Sequence, residues 1–77
     1  MSHERLPVVK PTQLVRVLER MGFVRRKKTK GGHLRYGHPD GRITTVPMHQ
    51  GQDIGRGLLR KIIKDINLTS EEFKNLL

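Results

Sequence analysis

Pro39-Asp40-Gly41 stands between two short segments of alternating side chains, and few arrangements other than a tight β-hairpin accommodate that pattern. Proline presets the first turn dihedral, aspartate bonds back to nearby backbone, and glycine accepts a left-handed position. Before the turn, His33 to His38 reads as a strand with Leu34 and Tyr36 on one face and His33 and Arg35 on the other. After it, Arg42 to Val46 is expected to put Ile43 and Thr45 on one face and Arg42 and Thr44 on the other. Pro47 has no N–H for a ladder and ends the strand. The hairpin carries a histidine near its entrance and cations on both sides.

The flanks supply partners for that hairpin. Leu14, Val17, Leu18 and Met21 recur at helical spacing, so a helix is expected from Pro11 to Met21, with Gly22 closing it. Phe23 to Lys28 reads as a first strand and Thr29 to Gly32 as a turn. Leu58, Leu59, Ile62, Ile63 and Ile66 form an amphipathic stripe on a second helix, from Arg56 to Ile66. Thr69 and Glu72 make a capping box, with Leu68 and Phe73 as its hydrophobic staple, so a short last helix covers Ser70 to Leu76. The predicted architecture is α+β, in the order α-β-β-β-α plus a short C-terminal helix. It has a three-stranded antiparallel sheet with helices on one face. Double-stranded-RNA-binding domains share this layout. If the helices cover Leu34, Tyr36 and Ile43, then His33 and Arg35 face outward. Residues 1–9 are expected to form a flexible N-terminal arm, because Pro7 and Pro11 disfavour regular pairing. Residues 10–77 form a single domain.

Size and charge restrict what this fold can do. A chain of 77 residues, 34% apolar and 4% aromatic, supports one modest aliphatic core and no cavity for a large cofactor. There is no cysteine, which excludes disulfides and thiolate metal sites. The first residues lack the apolar run of a signal peptide, and no segment approaches the ~20 apolar residues of a membrane span, so a cytoplasmic protein is expected. Sixteen Lys and Arg against seven Asp and Glu give a net charge of +9. That excess suits a polyanion. Seven of those cations lie between Arg25 and Arg42, where Asp40 is the only acid. Phe23, Tyr36 and Phe73 are all expected in the core, so a base-stacking platform is not indicated. Recognition should rest on backbone charge and shape.

His33 is the catalytic candidate. Imidazole ordinarily titrates at about 6.5 and exchanges protons near neutrality. RNA carries its own nucleophile, so a base that deprotonates the 2′-OH permits attack on the adjacent phosphorus without metal or cofactor. Lys28, Lys30, Arg35 and Arg42 are the candidate phosphate contacts, and Lys30 and Arg35 would stabilise charge on the phosphoryl oxygens. Gly31 and Gly32 would let the backbone approach a phosphate closely. His38 and His49 are secondary candidates for proton donor. His33, His38 and His49 lack the carboxylates that would make them a metal site, and none is expected.

The chain resembles the HicA-type, or YcfA-like, family of toxins, small mRNA interferases, from about Val9 to Leu77. The resemblance rests on Met21-Gly22-Phe23-Val24, Lys30-Gly31-Gly32-His33, and Tyr36-Gly37-His38-Pro39-Asp40-Gly41-Arg42. It continues through Val46-Pro47-Met48-His49, Gly57-Leu58-Leu59-Arg60-Lys61-Ile62-Ile63 and Leu68-Thr69-Ser70-Glu71-Glu72-Phe73. It implies a double-stranded-RNA-binding-like fold and ribosome-independent cleavage of mRNA. The catalytic histidine it implies is His33, acting as general acid or base. A HicB-like antitoxin is implied as the partner that blocks the site. Many members have G-S-H where this chain has Gly31-Gly32-His33, which removes one hydroxyl donor beside the imidazole. The first alternative is a non-catalytic RNA-binding module of the same fold. The second is an interaction protein whose basic surface serves an acidic partner. DNA binding is weaker, since no helix-turn-helix spacing is visible.

Overall fold

The turn at Pro39-Asp40-Gly41 closes as its residue types dictate. In the computed structural model the Gly41 N–H donates to the His38 carbonyl at 2.9 Å, and Gly41 sits at φ 100°. The His38 N–H donates to the Arg42 carbonyl at 2.8 Å. This is a three-residue loop ending in a left-handed glycine, the geometry that matches the twist of the strands it joins. The structure describes residues 6–26, 33–47 and 52–77.

The element order is α1 (Pro11–Arg20), β1 (Val24–Arg25), β2 (Leu34–Gly37), β3 (Ile43–Val46), α2 (Arg56–Asp65) and α3 (Ser70–Leu76). The three strands form an antiparallel sheet in the order β1-β2-β3. The expected α+β architecture is therefore the observed one. No helix among the described residues is long and apolar enough to cross a membrane.

The helices end where local chemistry stops them. Pro11 opens α1, and the Gln13 side chain accepts from the Lys10 N–H at 2.8 Å. At its far end Gly22 takes φ 97°, and Phe23 N–H reaches the Leu18 carbonyl at 3.0 Å. Asn67 does the same for α2 at φ 58°, with Leu68 N–H on the Ile63 carbonyl at 3.1 Å. Both are Schellman closures, the second using asparagine in place of glycine. The Thr69–Glu72 capping box is formed, at 3.0 and 2.8 Å.

The register corrects one expectation. Leu34 pairs with Val46 and Tyr36 with Thr44, so Thr44 and Val46 share the covered face with Leu34 and Tyr36. Thr44 and Val46 are buried, whereas Ile43 is 57% exposed. The predicted phase of the third strand, with Ile43 covered and Arg42 and Thr44 outward, is thus inverted. The loop sets this phase: pairing His38 with Arg42 places Arg42 under the sheet with Thr44.

Leu14, Leu18, Ile62, Ile66 and Phe73 fill the space between helices and sheet, each essentially without solvent contact. Burying each such side chain contributes about 1.5–3 kcal/mol relative to exposure. Leu58 does not join them; it is 40% exposed, off the buried stripe of Leu59, Ile62, Ile63 and Ile66. A second correction concerns the N-terminal arm. Leu6 and Val9 are buried at 2% exposure, Ile54 N–H donates to the Val9 carbonyl at 2.7 Å, and Arg56 Nε donates to the Leu6 carbonyl at 2.7 Å. Two apolar anchors thus tie residues 6–9 to the domain, while residues 1–5 lie outside the described residues.

Candidate functional site

Strand alternation leaves one face of the sheet without helices. Continuing the observed register, that face carries Val24 and Arg26 from the first strand, Arg35 and Gly37 from β2, and Ile43 and Thr45 from β3. Arg26 extends the ladder by one step, its N–H on the Arg35 carbonyl. Its side chain lies across Gly37: a Cβ built there would stand 2.9 Å from Arg26 Nε. Glycine at this position lets the guanidinium lie against the backbone of β2. Arg26, Arg35, Gly37, His38, Gly41 and Ile43 line a shallow groove of about 400 Å³. Two guanidiniums, no carboxylate, and the exposed apolar shoulder of Ile43 make this groove suitable for a phosphodiester backbone.

His33 lies one position before β2, just beyond the last ladder pair of Leu34 with Val46; continued alternation would put it on the side of Arg35. It is half-buried. With Pro47, Gln52, Asp53, Ile54 and Leu58 it lines a separate pocket of about 300 Å³ at the end of the sheet. The chain reaches this pocket because the Val9–Ile54 bridge holds residues 52–54 against the N-terminal segment. Asp53 is paired with Lys10 across that bridge, Nζ to Oδ1 at 3.1 Å.

Arg42 is placed elsewhere. Its Nε donates to Asp40 Oδ2 at 2.8 Å, its Nη1 to the Ile66 carbonyl at the end of α2, and its guanidinium carbon stands 5.2 Å from the centroid of the Phe23 ring. This guanidinium is engaged under the sheet and does not share a face with Arg35. His38 is likewise built into the fold. Its ring meets Phe23 edge-on at 5.1 Å, Nε2 lies 3.1 Å from the Met21 carbonyl, and Nδ1 accepts from the Asp40 N–H at 3.1 Å. Since a carbonyl only accepts, Nε2 carries a proton in this arrangement, and Nδ1 also stands 3.0 Å from Asp40 Oδ1. The Asp40 carboxyl is held below the ordinary carboxylate range, chiefly by the Arg42 backbone N–H it accepts and then by the Arg42 side chain. Burial pushes the Tyr36 hydroxyl above its ordinary value, with Glu19 adding to the rise.

The structure therefore puts Arg35 on one groove with Arg26 and the edge of His38, sets His33 in a separate pocket at the end of β2, and engages Arg42 under the sheet. Lys28, Lys30, Gly31, Gly32 and His49 lie outside the described residues. Among the described residues no cluster of three or more His, Cys, Asp or Glu is placed to hold a metal ion. Sequence reasoning did not single out Arg26, Gln52, Asp53 or Leu58 as site residues. Leu58 left one usable signal: an apolar residue beside Gly57 that belongs to a helical stripe only if the stripe is unusually wide.

The fold and this face together define a small basic α+β domain with one open, cationic sheet surface. Residues 12–68 match the family model described as the HicA toxin of bacterial toxin–antitoxin systems, so the chain belongs to the HicA toxin family. It is a toxin of a toxin–antitoxin system, and membership implies an antitoxin partner. No curated protein matches the chain.

Proposed function

We propose that this toxin is a metal-independent endoribonuclease that cleaves mRNA in the cytoplasm, with His33 as general acid or base. The observation that supports the proposal is that His33, half-buried in a pocket at the end of β2, stands two residues along the chain from Arg35 of the cationic groove. A phosphodiester lying along Arg26 and Arg35 would bring its ribose toward His33. The imidazole removes the 2′-OH proton; the 2′-oxygen attacks phosphorus to form a cyclic phosphodiester; the P–O5′ bond breaks and the 5′-oxygen takes a proton. Arg35 offsets charge on the phosphoryl oxygens in that transition state. Lys28 and Lys30, with Gly31 and Gly32, are proposed to complete the phosphate contacts ahead of His33. Phosphate binding within the described residues is assigned to Arg26 and Arg35 rather than to Arg42. A HicB-like antitoxin covering the His33 side is the proposed means of neutralisation.

The test is cleavage of a long single-stranded RNA, in EDTA, by the protein and by His33→Ala. Cleavage by the first, lost by about 10²–10⁴-fold in the second, is the expected result. If neither cleaves while both bind RNA, the protein is a binding module of the same fold.

A further inference from the structure

Leu58 poses a question that neither the core nor the cationic groove answers. It is one of the exposed large apolar residues, and it lines the His33 pocket with buried Ile54 and with Pro47. The polar residues that line that pocket besides His33 are Gln52 and Asp53. A carboxylate disfavours a phosphate, so the pocket differs in kind from the neighbouring groove with Arg26 and Arg35. Apolar walls with a few hydrogen-bonding groups at one side match an unpaired nucleobase, which offers flat faces and a polar edge. At about 300 Å³ the pocket is at the small end of ligand sites and suits a single base.

We propose that this pocket holds the base of an unpaired nucleotide next to the phosphodiester on which His33 acts, and that Asp53 and Gln52 favour bases bearing an exocyclic amino group over uracil. The proposal rests on the ribonuclease reading above and adds a substrate preference to it. An ionised Asp53 only accepts hydrogen bonds; adenine, cytosine and guanine each present an exocyclic amino donor, whereas the one Watson–Crick-edge donor of uracil, N3–H, is flanked by two carbonyl oxygens that a carboxylate repels. Gln52 both donates and accepts, and so can pair with the ring atoms beside that amino group. Lys10 Nζ stands 3.1 Å from Asp53 Oδ1 and so helps hold the side chain of this pocket-lining residue in place. That exposed pair adds little to stability, so Asp53→Asn is expected to fold.

The experiment counts cut positions along an unstructured RNA for the protein and for Asp53→Asn. Uracil should be depleted about fivefold or more at one position beside the cut, the low end of what a good base contact discriminates. In Asp53→Asn, whose amide can donate to a uracil carbonyl, that depletion should disappear. Cleavage with the same base distribution in both proteins would overturn the pocket assignment and leave the ribonuclease reading standing. If the protein does not cleave, that reading fails, and titration with 5′-AMP, 5′-CMP and 5′-UMP decides the pocket alone. Shifts of the Leu58 methyl and Gln52 side-chain amide resonances with AMP and CMP, weaker with UMP, would uphold it; no shift with any of them would overturn it.

Discussion

Arg42 shows how much a single side chain's placement decides. On charge alone it belongs with the phosphate contacts; in the structure it links the hairpin tip, through Asp40, to the Ile66 carbonyl at the end of α2 and the face of Phe23. Arg42→Ala should lower stability by about 1–3 kcal/mol in urea unfolding, since it removes charge-assisted bonds to partly buried groups. Asp40 provides a second check on the same cluster. Its lowered pKa means that its bonds to Arg42 contribute stability above the ordinary carboxylate range. That contribution is lost only as pH falls through the depressed folded value. An NMR titration of the Asp40 carboxyl carbon should show a midpoint below that of an ordinary aspartate. In Arg42→Ala the midpoint should rise only part of the way, because the backbone N–H at position 42, the largest cause, survives the substitution.

At the scale of elements, the hairpin and helices were legible because their signals are local. Pro39-Asp40-Gly41 specified the loop, Gly22 the end of α1, and Thr69 with Glu72 the start of α3. The phase of β3 was less so. Arg42-Ile43-Thr44-Thr45-Val46 has apolar residues at both ends of an odd spacing, so alternation alone permits either face. The bulged glycine of the loop, not the strand composition, fixes the choice. The same register creates the open face with Arg26 and Arg35. Arg35→Ala should leave the melting temperature nearly unchanged, as exposed substitutions usually stay within about 0.5 kcal/mol. It should weaken RNA binding and reduce the slope of log affinity against log salt by about one. An unchanged slope would remove Arg35 from the interface.

Across the whole molecule, the sequence pattern revealed a basic domain with a histidine at the mouth of a hairpin, and the family match over residues 12–68 agrees with the resemblance its motifs suggested. The site beside His33 was not legible. Its pocket is assembled from Pro47 and the segment Gln52 to Leu58, held in place by Leu6 and Val9, residues whose proline-rich setting had suggested a loose arm. Such long-range assembly leaves no periodic trace, because each piece is short and the bridge that holds it joins Val9 to Ile54, 45 positions along the chain. The net charge of +9 brings polyanions to every face, so affinity alone will not separate a nuclease from a binder. Product chemistry will. The most direct measurement is the end-group analysis of RNA fragments produced in EDTA. A 2′,3′-cyclic phosphate on one fragment and a 5′-hydroxyl on the other, absent with His33→Ala, is the result the account predicts. Fragments bearing a 5′-phosphate and a 3′-hydroxyl would contradict it, since the 2′-OH would then not be the nucleophile.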